Sequence, residues 1–212
     1  MNVDSTLVRR KSIEWLAAHN VPNHPNLPLL GHKNLRSSHE VAQRVVALYC
    51  MAGIANGADS AMLLDWLEAD GGINCLEPAE IATLLEPSHS EERLNELSWI
   101  QESLYTLCWC CVLVEELSFP NNECDLSGVF SEIPPERNIS EFVSSITLRD
   151  QNTIFQALDC YYCLHAALVH PELWGNPQTK SIPLLQIVLE RRHALEWIFS
   201  RQETWGDIVL DT

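Results

Sequence analysis

The chain has 212 residues, 46% of them hydrophobic and 20% charged. That is enough apolar material for a packed core, and it excludes a disordered polymer. Its 29 acidic residues outnumber 13 basic ones, giving a formal charge of −16; a surface of that sign repels phosphate backbones and anionic bilayers. No nucleic acid and no membrane are therefore expected as partners, whereas a basic protein or a cationic ligand is compatible.

Helical periodicity dominates the chain, and strand-like alternation is scarce. A first helix is expected over residues 5–18, with Leu7, Ile13, Trp15 and Leu16 as apolar positions. Residues 21–34 hold Pro22, Pro25, Pro28 and Gly31 and read as irregular. A second helix opens at Ser37, with Glu40 placed for a capping box and Val41, Val45, Leu48 and Ala52 as its stripe. Glu40 and Arg44 are spaced as an i,i+4 pair. A short helix carries Met62, Leu63, Trp66 and Leu67 and stops at Gly71 and Gly72, and another starts at Pro78. Residues 90–97 lead into a segment, 98–116, whose middle is apolar on every side and is expected in the core. Residues 118–138, with Pro120, Pro134 and Pro135, form a long polar connection. Helices resume over 140–148 and 151–170, and a last long one begins at residue 184. The expected fold is all-α: a single domain, 1–212, of about eight helices with two long irregular connections. Residues 1–36 supply the N-terminal helix and Pro-rich connection, and 37–212 the main body.

No apolar leader region is visible at the N-terminus, and the longest apolar run, residues 104–114, is too short to span a bilayer. A cytoplasmic location follows as an expectation, with the eight cysteines reduced.

Three constellations are candidates for chemistry. Cys108 with Cys111, and Cys160 with Cys163, are two Cys-x-x-Cys pairs, which together have the ligand count of a zinc site. Both pairs lie inside apolar helix, where cysteine behaves as a small buried hydrophobe, so no metal and no cofactor is the favoured reading and a zinc-stabilised scaffold the alternative. His165 falls near the centre of the arc formed by Ile154, Leu158, Tyr161, Leu168 and Val169; an imidazole there is either a general base or a satisfied core residue. Arg191 falls in the middle of the apolar arc of the last helix. A guanidinium cannot be deprotonated, so it needs a carboxylate or several carbonyls as partners. Arg191 can meet His165 or pair with Asp159, Asp207 or Asp211, with Trp205 as a cover. Such a cluster is either a C-terminal clasp or, with Glu190, an anion-binding pocket. Neither a phosphate loop, a nucleophile elbow nor a zinc-protease motif occurs.

Several stretches together carry a family resemblance. They are Arg36-Ser37 with Glu40-Val41-Ala42 and Arg44, Ser98-Trp99 with Glu102, and Asp159, Tyr162, Leu164 and His165. Glu190-Arg191, Ala194-Leu195 and Trp197 follow, then Trp205, Asp207, Asp211 and Thr212. In these the chain resembles a bacterial family catalogued as a domain of unknown function, number four-two-seven-two in that series. Ile100, Cys163, Ala166 and Gly206 depart from the family pattern, and three of those departures remove polar groups. The resemblance implies a helical bacterial domain and attaches no activity to it.

The leading functional reading is a non-enzymatic, cytoplasmic interaction protein whose acidic surface engages a basic protein. The alternatives are a ligand-binding or enzymatic domain with a polar core pocket around His165 and Arg191, and the zinc scaffold.

Overall fold

The computed structural model describes residues 4–31, 34–175, 182–200 and 204–211. Thr212, named above for its sequence context, lies outside the described residues. Among the described residues there are eight α-helices and no strand: α1 (Ser5–Ala18), α2 (Ser38–Ala55), α3 (Ser60–Ala69), α4 (Pro78–Leu85), α5 (Glu91–Cys110), α6 (Ile139–Ser145), α7 (Gln151–Val169) and α8 (Leu185–Phe199). No helix among them is long and apolar enough to cross a membrane. The elements fall into two compact units.

One unit consists of Arg36–Leu117 and Cys124–Leu148 and contains α2 to α6. α2 begins at the capping box read from the sequence: the Ser37 Oγ accepts from the Glu40 N–H at 3.3 Å, and the Ser37 N–H donates to Glu40 Oε2 at 2.9 Å. Val41, Val45, Leu48 and Ala52 are all buried, and α2 packs on α5. Arg44 sits among them and is also buried. It does not simply close the expected pair with Glu40, which bonds Ser37 and Arg36. Arg44 reaches Glu77 at 3.2 Å and also Glu80, the two residues whose reciprocal bonds cap α4. One buried cation thus ties the start of α4 to the middle of α2.

α5 ends at Cys110, six residues short of the expected boundary at 116. Val112 adopts a φ of +62°, and the Leu113 N–H folds back to the Cys108 carbonyl at 2.9 Å. That 6→1 bond is a left-handed helix stop of the kind glycine usually supplies; valine gives no such signal in sequence. Beyond it, the fully buried Glu102 accepts the Cys124 N–H at 2.6 Å and so fastens the long connection to α5.

The other unit consists of Met1–Leu35, Ser118–Glu123 and Arg149–Thr212 and contains α1, α7 and α8. α7 packs against both α1 and α8. Asp4 caps α1 and Asp150 caps α7, each through its carboxylate to two backbone N–H groups. α8 has no side-chain cap; the Leu184 N–H donates instead to the Pro120 carbonyl at 2.8 Å.

Candidate functional site

Within the unit that holds α1, α7 and α8, the polar residues of the interior form two adjoining clusters. The first is built on Asp159 of α7, 1% exposed. Arg9 of α1 donates to both of its oxygens, from Nε at 3.0 Å and from Nη2 at 2.8 Å, and the Ser12 hydroxyl donates at 2.6 Å. The remaining Arg9 donors hold the carbonyls of Leu27 and Pro28, both at 2.8 Å. Burial opposes the charge on Arg9, but the Asp159 carboxylate outweighs it and raises the guanidinium pKa. This is a bidentate charge pair in which all three guanidinium nitrogens donate.

The second cluster is built on Arg192 of α8, 1% exposed. Its Nη1 donates to His165 Nδ1 at 2.5 Å, and its Nη2 donates to the Asp211 carbonyl at 2.7 Å. The Glu196 carboxylate lies 3.4 Å away, one helical turn along. Burial and the Arg192 charge lower the His165 pKa to about 4, so the imidazole is neutral and its Nδ1 serves as acceptor. The Tyr162 ring links the clusters: the Arg192 guanidinium carbon lies 4.7 Å from its centroid and that of Arg9 5.7 Å, both within cation–π range.

Asp159, His165 and Asp211 therefore belong to these two clusters. Arg191 is fully buried, and its Nη1 donates to the Ser118 carbonyl at 2.6 Å and to the Tyr161 hydroxyl at 3.0 Å. Glu190 accepts from Gln186. Asp207 caps its own turn through the Thr204 N–H and hydroxyl. Trp205 stacks on His193 with centroids 4.6 Å apart, and its carbonyl accepts from His193 Nε2 at 2.8 Å. The cation that holds both His165 and the chain end is thus Arg192, one residue along from Arg191. Its i,i+4 partner Glu196 is the sequence signal that picks it out. Arg9 carried no comparable signal, since it stands in a run of three basic residues, Arg9, Arg10 and Lys11, near the N-terminus.

A shallow cleft of about 390 Å³ opens over Tyr162, Arg192, Glu196, Asp207 and Asp211. The other unit carries a larger one, about 640 Å³. Its walls come from Tyr49, Ala52 and Gly53 of α2, Gln101 and Leu104 of α5, and Leu126 and Phe130 of the long connection.

The cysteines do not assemble a metal site. Among the described residues, no group of three or more His, Cys, Asp or Glu side chains is placed to hold a metal ion. Cys160 Sγ meets Ser12 and Gln156, and Cys163 Sγ faces Asp159. Burial pushes the thiols of Cys111 and Cys163 up to about 12 and that of Cys108 well above its ordinary value. Zinc binds thiolates, so these buried thiols lend the zinc-scaffold alternative no support.

These features define an all-α protein whose helices are bridged internally by arginine. The chain belongs to the family described as "Domain of unknown function (DUF4272)", whose model matches residues 8–208. That match takes in Arg9, which lies ahead of every motif quoted for the resemblance. No curated protein and no solved structure matches the chain.

Two outcomes follow from the site. Above pH 6.5 His165 is neutral folded or unfolded; as the pH falls from there towards about 4, only the unfolded chain takes the proton, and stability is lost. The urea midpoint of the native sequence will fall more steeply across that window than that of His165→Gln; parallel profiles would contradict the assignment. Of the eight cysteines only Cys124 is not buried. An aromatic disulfide reagent at mildly alkaline pH will therefore react rapidly with one thiol in the native chain and with all eight after denaturation. Rapid reaction of several native thiols would count against the described burial.

Proposed function

We propose that this chain is a non-enzymatic, cytoplasmic interaction module whose anionic surface engages a basic protein. The observation that supports this is the way charge divides between inside and outside. Among the described residues, five basic ones, Arg9, Arg36, Arg44, Arg191 and Arg192, are buried, against three acidic ones, Glu102, Asp159 and Glu196. The solvent-facing surface is accordingly more anionic than the formal −16 implies, because part of the positive charge is spent on internal structure. A field of that sign speeds encounter with cationic proteins and discourages nucleic acid and anionic membrane. All eight cysteines are free thiols, as suits a reducing compartment.

The polar pocket around His165 and Arg191 has less support as a reaction centre. Arg191 is fully buried and bonded to backbone and phenol, and the Nδ1 of His165 is occupied by Arg192. A general base needs a free, solvent-reachable nitrogen near its substrate.

The test is affinity capture with the tagged full chain from a lysate of its own cells at roughly 0.15 M salt, followed by elution at about 1 M, where the screening length falls to about 3 Å. The expected result is one basic protein retained near equal stoichiometry and released by salt. Retention of no stoichiometric protein, or of an acidic one indifferent to salt, would overturn the reading.

A further inference from the structure

The 640 Å³ cleft in the unit formed by α2 to α6 combines three properties. Its walls are largely apolar, with Tyr49, Ala52, Leu104, Leu126 and Phe130 contributing. Phe130 stands 46% exposed at the rim, edge-on to Tyr49 with centroids 6.3 Å apart. A large aromatic left half in water beside a preformed hollow is an anchor seat without its anchor. The hollow is also negatively flanked. Asp125 lines it and is exposed, its carboxylate fixed by the Ser127 N–H at 2.9 Å. Glu136 is exposed and near enough to Tyr49 that burial, the Cys50 thiol and this carboxylate together raise the phenol pKa. Among the described residues that line the cleft, none is basic.

Its preformation has a local cause. The buried Glu102, two residues before Leu104 on α5, holds the Cys124 N–H, so the connection bearing Asp125, Leu126 and Phe130 is fastened at its base. On the opposite side α2 ends at Ala55, and the Ala58 N–H returns to the Gly53 carbonyl at 2.9 Å. The wall atoms are placed before any partner arrives, which lowers the ordering cost of binding.

We infer that this cleft is the docking seat for a segment of the basic partner protein in which a large apolar side chain is flanked by lysine or arginine. The inference rests on the proposed interaction role and names its contact point. Charge selects the occupant. A second copy of this chain brings another −16 and is repelled at long range, whereas a cationic segment is drawn to Asp125 and Glu136 while its apolar side chain fills the hollow beside Phe130. The carboxylates supply encounter and register, and the apolar contact supplies residence time.

The experiment uses the full chain and three labelled synthetic peptides followed by fluorescence anisotropy. One carries a Trp-Leu pair flanked by lysines, one has Gly-Ser in place of that pair, and one keeps Trp-Leu between glutamates. The expected result is binding of the first at least about tenfold tighter than either control. A further loss of about tenfold is expected in Phe130→Ala, and again in Ala58→Trp, which narrows the cleft from its other wall. Both positions are exposed, and unchanged circular dichroism and Tm would certify the fold. If the lysine peptides bind alike with or without Trp-Leu, and neither variant matters, the docking seat is refuted while the anionic interaction surface stands. If no peptide binds while the full chain still retains a basic protein from lysate, the docking seat alone is refuted; if that capture fails as well, both readings fall. Self-association of the native chain that Phe130→Ala abolishes would assign the cleft to a second copy and overturn the inference.

Discussion

Burying a guanidinium is among the harder tasks a small protein undertakes, because the group keeps its charge at any physiological pH and must recover inside what it loses from water. Here that constraint organises both units. Arg44 can lie in the apolar stripe of α2 because Glu77 and Glu80 come to meet it, and that requirement places α4. Arg9 can lie between α1 and α7 because Asp159 and Ser12 face it and the carbonyls of Leu27 and Pro28 take its outer donors. The Pro-rich connection is thereby held by its carbonyls. Arg192 binds His165, Glu196 and the Asp211 carbonyl at once, so the chain end is positioned by a cation on α8.

The same arrangement shapes the outside. Each arginine drawn inward is a positive charge withdrawn from the surface, and the acids that remain are left with fewer exposed partners. The buried arginines and the formal charge of −16 are two faces of one distribution of residues. The interior groups also gain fixed roles. His165 is held as a neutral acceptor by burial and by Arg192, which suits it to structure more than to proton transfer. The proposed function accordingly rests on the surface and on the cleft beside Phe130.

Much of the fold was legible in the sequence because helix signals are local. The Ser37 capping box, Pro78 at a helix start, the stripe through Val41 and Leu48 and the all-apolar middle of α5 each report on residues within a turn or two of themselves. The end of α5 was not legible, because a valine at φ +62° does by tertiary context what glycine does by itself. The interior ion pairs were legible only in part. Periodicity identified Arg191, Asp159 and His165 as polar groups facing inward, but partners such as Arg9 and Asp159 are 150 positions apart, and no spacing rule joins them. Arg192 escaped because it sits about 100° around the helix from Arg191, at the flank of the apolar arc and not at its centre. The cleft had no sequence signal at all: its walls come from two helices and an irregular connection that only the folded chain assembles.

The account stands on the claim that these buried cations are structural. Equilibrium urea unfolding of Arg192→Ala tests it most directly, since that change removes the donor to His165 and Asp211 and strips the cation from beside the buried Glu196. The account predicts a loss of about 3–5 kcal/mol, the usual cost of breaking a buried pair on one side. An unfolding midpoint equal to that of the native sequence would contradict it.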